Sequence, residues 1–301
     1  MRTPLPVRLT AASTAVGALA ALATVAPALA PAAAAPPAAA AAAASAFAHV
    51  PSTTYGLTLN GRLVRFPIDA PRASQVVGQI SGFAPTDSEL VGIDFRVQDG
   101  KLYGVGDRGG IYTINRRTAE LTLVTQLTVP LNGTQFGVDF NPAANALRIV
   151  SNTSQNLRHS FVTFTTTMDG NLTYGDPPGP AEGIAMAAYT NNDLDLGTGV
   201  TLFDVDTRLD QVVTQAPANN GTLQMTGTLG LDVGPRGGFD IYSALDDDGR
   251  TTRNSAYAVF RTDARGSALY EVKALTGEKE LVDEFRDRQQ VFDLAIKLAG
   301  S

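Results

Sequence analysis

The chain reads as an all-β protein, a five-bladed β-propeller closed by pairing of its C-terminal strand with its first blade. Three observations predict this. A Gly-apolar-Asp-apolar tetrad recurs at blade length, short strands follow each copy in fours, and the two ends of the repeat region complete one another.

The tetrad stands at Gly92-Ile93-Asp94-Phe95, Gly137-Val138-Asp139-Phe140 and Gly238-Phe239-Asp240-Ile241, and Val291-Phe292-Asp293-Leu294 keeps all but the glycine. Met186-Ala187-Ala188-Tyr189 keeps the spacing without Gly or Asp, and with it the intervals are 45, 49, 52 and 53 residues. Repeats of that length suit four-stranded blades with variable loops. Residues 92–124 carry the shortest complete unit: GIDF, LYGVG, IYTIN and LTLV, separated by QDGK, DRGG and RRTAE. Apolar alternation bounded by Gly, Asp and Asn is the signature of half-buried antiparallel strands.

The repeat region opens at Thr54 with a second-type strand and ends on a lone first-type strand at residues 291–296. The last strand is therefore expected to supply the inner strand of blade one, which removes free sheet edges. A sixth blade would need one more tetrad. A six-bladed propeller, a solenoid or a sandwich is the alternative, and repeats this long with hairpin turns fit the last two poorly.

The amino terminus is of a different kind. Arg2 and Arg8 precede an apolar, Ala-rich run, and Ala28-Leu29-Ala30 offers a small-x-small cleavage pattern, so residues 1–30 read as an export signal. Residues 31–48 are low-complexity Ala/Pro and read as a disordered tether. Residues 49–301 are left for the propeller, with no second apolar span and no transmembrane anchor expected in the mature chain. The expected location is extracellular or at the cell envelope. The chain has no cysteine, which excludes disulfides and thiol chemistry, so the fold must be stable outside the cytoplasm through its core alone. A net charge of −6 without a Lys/Arg cluster argues against nucleic acid. A monomer is expected.

The tetrads, SNTSQNLR at residues 151–158, AAYTNN at 187–192 and NNGTL at 219–223 resemble the domain-of-unknown-function 4394 family of exported bacterial proteins with repeated YG and G-h-D-F elements. The resemblance spans residues 54–298. It implies export and a repeated β fold, and carries over no site residues.

Candidate chemistry is sparse. Gly104-Val105-Gly106-Asp107-Arg108-Gly109 matches a dinucleotide fingerprint in letters, but a strand follows where a helix is needed, so its glycines are hairpin residues. His49 and His159 are the two histidines, and with no Gly-x-Ser-x-Gly elbow His159 reads as a surface residue. Asn191-Asn192-Asp193-Leu194-Asp195 and Asp246-Asp247-Asp248-Gly249 could supply calcium oxygens but lack the distal Glu of a helical calcium loop, so solvated turns are expected and no cofactor is assigned. Asp94, Asp139, Asp240 and Asp293 recur at one blade position, which predicts structural fasteners between blades more than a channel cation site. The expected ligand site is Asn152, Gln155, Asn156 and Arg158 in the third unit, with Asp107 and Arg108 on the same face. Amides, hydroxyls and a guanidinium suit a polar ligand, a glycan or an envelope protein. The expected function is non-enzymatic binding. The alternative is a hydrolase or lyase using paired carboxylates or calcium.

Overall fold

A computed structural model describes residues 52–175 and 178–300. The export signal and tether lie outside the described residues. Five sheets, antiparallel except for one parallel pairing at the outer edge of blade four, each present one inner strand to a common axis. No α-helix occurs among the described residues, and so none long and apolar enough to cross a membrane.

Blade one takes its inner strand from the C-terminus. Val291–Ile296 pairs with Thr53–Thr58, which continues through Arg62–Pro67 to Gln75–Gln79. Blade two runs Leu90–Arg96, Lys101–Gly106, Gly110–Ile114 and Leu121–Gln126. Blade three runs Phe136–Asn141, Ala146–Ser151, Asn156–Ser160 and Thr166–Met168. Blade four runs Ile184–Tyr189, Leu202–Asp206, Gln211–Gln215 and Thr222–Thr228, and its outer edge is extended by Thr173–Gly175 and Pro178–Pro180. Blade five runs Gly238–Leu245, Thr251–Thr262, Gly266–Val272 and Lys279–Glu284. The predicted closure and blade count hold. In blade two the fingerprint-like glycines form a hairpin, with Gly109 at φ 89° where a Cβ would strain the turn.

Apolar side chains on facing sheets interdigitate, and the described residues form one buried cluster for each seam between neighbouring blades. The seam from blade two to blade three is aromatic. Tyr103, Phe140 and Phe161 meet edge-to-face with centroids 5.1–5.4 Å apart, a favoured geometry. The inner strands pack closely enough that a Cβ on Gly137 would lie 2.5 Å from the backbone of Met186. The tetrad glycine is therefore a close-approach residue.

Pairing register corrects one equivalence expected from sequence. Tyr103 pairs with Asp94, Arg148 with Asp139, Phe203 with Ala188, Tyr257 with Asp240, and Tyr55 with Ala295. The residue at the aspartate level in blade one is thus Ala295. Asp293 sits two residues earlier, at the level of the tetrad glycines, and a Cβ on Gly238 would lie 2.5 Å from its Oδ1.

Candidate functional site

The axis holds four carboxyls, three of them buried and Asp293 half-buried. Asp94 is 6% exposed, Asp139 2% and Asp240 3%, and oxygens from these three lie within 4.8 Å of one another. Each side chain reaches across a seam. Asp94 Oδ2 accepts the Phe140 N–H at 2.7 Å, Asp139 Oδ2 the Tyr189 N–H at 2.9 Å, and Asp240 Oδ2 the Ile296 N–H at 2.6 Å. Asp293, offset by one pleat, accepts the Ile93 N–H at 2.7 Å. Each strand places its Asp on the face opposite the flanking apolar residues, and the N–H it meets belongs to the next blade's inner strand.

Burial pushes all four carboxyls up. Asp94, Asp139 and Asp293 lie well above the usual range, with the neighbouring carboxylates adding to burial in each case. Asp240 rises to about 6, also through burial, while the N–H groups of Ile296 and Ile241 draw it back down. Raised carboxyls close together are the pattern of an acid–base pair, but these face neighbouring backbone inside the channel.

The open surface lies at the end where inner strands pass to second strands. A groove of ≈850 Å³ is bounded there by Gln98 and Asp99 of blade two, Asn192–Asp195 of blade four, Asp248 and Arg250 of blade five, and residues 298–300. In blades two and three this connection has four residues, 97–100 and 142–145; in blade four it has twelve, 190–201. Loops of exceptional length on a regular scaffold are where binding residues gather. This one carries Leu194 and Leu196 at 62% and 79% exposure.

The acidic loops meet within this groove. Asp193 is buried, contrary to a fully solvated turn, because its oxygens accept the N–H groups of Asp195 and Thr251, both at 2.9 Å. Asp195 accepts the Gly197 N–H at 2.8 Å and the Arg250 Nε–H at 2.8 Å; these partners hold its carboxyl below the ordinary range. A guanidinium occupies the ground on which a calcium ion would need oxygens.

The residues expected to bind ligand lie at the opposite end, where second strands pass to third strands, and most are turned inward. Asn156 has no exposure; its amide accepts from Arg148 at 2.6 Å and donates to the carbonyls of Gly170 and Ala218, each at 3.0 Å. Gln155 bonds Asn132 N–H and the Pro130 carbonyl. Asn152 Oδ1 accepts the N–H groups of Thr134 and Gln135. Arg158 pairs with the buried Asp169 through two 3.1 Å bonds. Asp107 accepts from Ser88 and Glu89 backbone N–H. Arg108 is the most exposed of the set, with its side chain 72% accessible. These residues fix connections between blades. His159 is a further correction: it is fully buried in blade three, with Nδ1 3.0 Å from Thr166 Oγ1, and burial lowers its pKa.

Sequence reasoning missed a polar seam between blades three and four. Arg148 is 2% exposed, bonds Tyr189, Asn156, Asp169 and Asn219, and stands where the other blades carry Tyr55, Tyr103, Phe203 and Tyr257. Asp204 faces it with no exposure and both oxygens without a hydrogen-bond partner, at a position held elsewhere by Gly56, Gly104, Ile149 and Ala258. Aligning the second strands of the repeats exposes both departures, so the signal was present in the sequence.

Among solved structures, the chain is similar to a Bacteroides thetaiotaomicron protein of unknown function at 15% identity and TM-score 0.46, covering 84% of this chain and 66% of that one. It is similar to the extracellular domain of a hybrid two-component system of the same organism at 13% identity and TM-score 0.37, covering 78% and 28%. The Myxococcus xanthus glutaminyl cyclase matches at 13% identity and TM-score 0.39, covering 76% and 95%. The chain thus spans under two thirds of the two-component protein's extracellular domain. No curated protein matches it. The model of a family described as a domain of unknown function, DUF4394, matches residues 62–295. That match reaches into all five blades, and the chain belongs to the DUF4394 family.

Proposed function

We propose that this protein is an exported, non-enzymatic binding module that takes a polar ligand, a glycan or an envelope protein, in the groove at the channel mouth. The observation that carries this reading is the ≈850 Å³ groove edged by the twelve-residue blade-four connection. The groove offers the exposed side chains of Asp248 and Arg250 for hydrogen bonding, at 77% and 61% accessibility, beside the exposed apolar Leu194. Apolar contact flanked by a few charged groups is the usual make-up of a binding site. The non-enzymatic half of the reading rests on access. Asp94, Asp139 and Asp240 are buried between inner strands with their oxygens on backbone N–H groups, and a catalytic acid must reach the bond it protonates. Export rests on the basic and Ala-rich amino terminus.

The test is a glycan array probed with the mature domain and with a Leu194→Ala/Arg250→Ala variant. Binding that falls about tenfold or more in the variant is the expected result, the scale for losing one charged hydrogen bond and one apolar contact. Glycan binding that survives the double substitution would remove the groove as the site. Cleavage of a bound glycan would overturn the non-enzymatic reading.

A further inference from the structure

At the other end of the molecule, one blade reverses the polarity of a repeated contact. In blades two and three, Val105 and Val150 pair with the tetrad glycines Gly92 and Gly137. Two residues further on, each second strand places an acceptor over the segment entering its inner strand. Asp107 accepts the N–H groups of Ser88 at 2.7 Å and Glu89 at 3.2 Å. Asn152 accepts those of Thr134 at 2.9 Å and Gln135 at 3.1 Å. In blade five Val259 pairs with Gly238, and the residue two further on is Arg261. A guanidinium has five donors and no acceptor.

Arg261 forms no ion pair or side-chain hydrogen bond among the described residues, and its Nε–H is shut off from solvent without a partner. It borders a groove of ≈510 Å³ between the entering segment, residues 231–236, and the hairpin of residues 261–265. Arg236 lines the same groove, stacked 3.9 Å above the Phe292 ring and 3.5 Å from Glu89, as does Arg265, which bonds Glu284 at 2.7 Å. Arg236 and Arg265 are thus paired with Glu89 and Glu284, and Asp232 and Asp263 also line the groove, so Arg261 is the cation there without a carboxylate partner among the described residues. A ligand in the groove would meet the Nη groups of Arg261, which have no protein partner among the described residues and can donate charge-assisted bonds to an oxyanion.

We propose that this groove is an oxyanion site, in which a carboxylate or phosphate group of a ligand pairs with Arg261. Arg261 supplies the planar fork and Arg236 a second cation. The site is separate from the groove at the channel mouth and does not depend on it.

Calorimetric titration of the mature domain with sodium glucuronate, inorganic phosphate and neutral glucose tests this. One oxyanion is expected to bind and glucose not, with affinity falling about tenfold or more in Arg261→Gln, as for a charge-assisted bidentate pair. Preference for glucuronate assigns an acidic sugar or other carboxylate, and preference for phosphate a phosphorylated polymer or free phosphate. Asp263→Asn removes a like charge and is expected to tighten binding, which keeps the proposal testable if Arg261→Gln folds poorly. Equal heats for glucose and both oxyanions, or binding unchanged in Arg261→Gln and in Asp263→Asn, would overturn it.

Discussion

The seam between blades two and three and the seam between blades three and four share one backbone plan and opposite chemistry. In the first, Tyr103 packs on Phe140 and Phe161. In the second, the residue equivalent to Tyr103 is Arg148, which gathers Tyr189, Asn156, Asp169 and Asn219 around its guanidinium. An aromatic seam is stabilised by area and tolerates small shifts. A buried polar seam is specific, because each donor lost leaves an acceptor stranded. Asn156, Asn219 and Arg148 pin the segments around residues 170 and 218 to blade three, which is why the third and fourth units carry amide-rich stretches that the second unit lacks.

Breaking the polar seam is expected to have the largest effect. Arg148→Met should lower stability by about 2–4 kcal/mol, because it strands the acceptors of Asn156 and Asn219 while Asp169 keeps Arg158, measured as a shift in the urea midpoint. A smaller change of opposite sign is expected at the facing side chain. Asp204→Ala restores the residue type of Ala258 and removes a buried carboxyl with no partner, so it should raise stability by about 1–3 kcal/mol at pH 7. Burial holds the Asp204 pKa well above its ordinary value despite the nearby Arg148. Its cost is therefore absent below about pH 4, the unfolded pKa. It grows as the pH rises through the folded pKa, and the gain from Asp204→Ala should shrink in acid. If Arg148→Met were neutral and Asp204→Ala destabilising, the two seams would not differ as described.

Much of the architecture was legible because tetrad, strand count and chain ends all follow from packing periodicity. The two-residue offset of Asp293 was not, since it is set by pairing with Leu57 across the closure, 236 residues away in sequence. Asn152 and Asn156 drew attention correctly as departures from the repeat. A string of amides reads the same whether it faces solvent or a neighbouring loop, and here the 218–220 turn lies against Asn156 and Arg148. The groove at the channel mouth was not legible as a unit, because its walls come from blades two, four and five and from the tail after blade one.

The channel carboxyls join both seams: Asp94 reaches Phe140 across the first and Asp139 reaches Tyr189 across the second. These carboxyls fasten one blade to the next. Their folded pKa values are raised, so the stability they contribute is fully present below the unfolded pKa of about 3.9 and declines as the pH rises through the folded values, about 6 for Asp240. Asp139→Asn keeps an acceptor for the Tyr189 N–H and removes one charge. The melting temperature of this variant relative to the unsubstituted domain, taken at pH 5 and pH 8 in the presence of a chelator, is the most direct measurement. A variant more stable than the parent at pH 8, with a smaller advantage at pH 5, is the predicted result. A variant less stable at pH 8, with the parent's advantage growing when calcium replaces the chelator, would contradict the claim and make the channel a cation site.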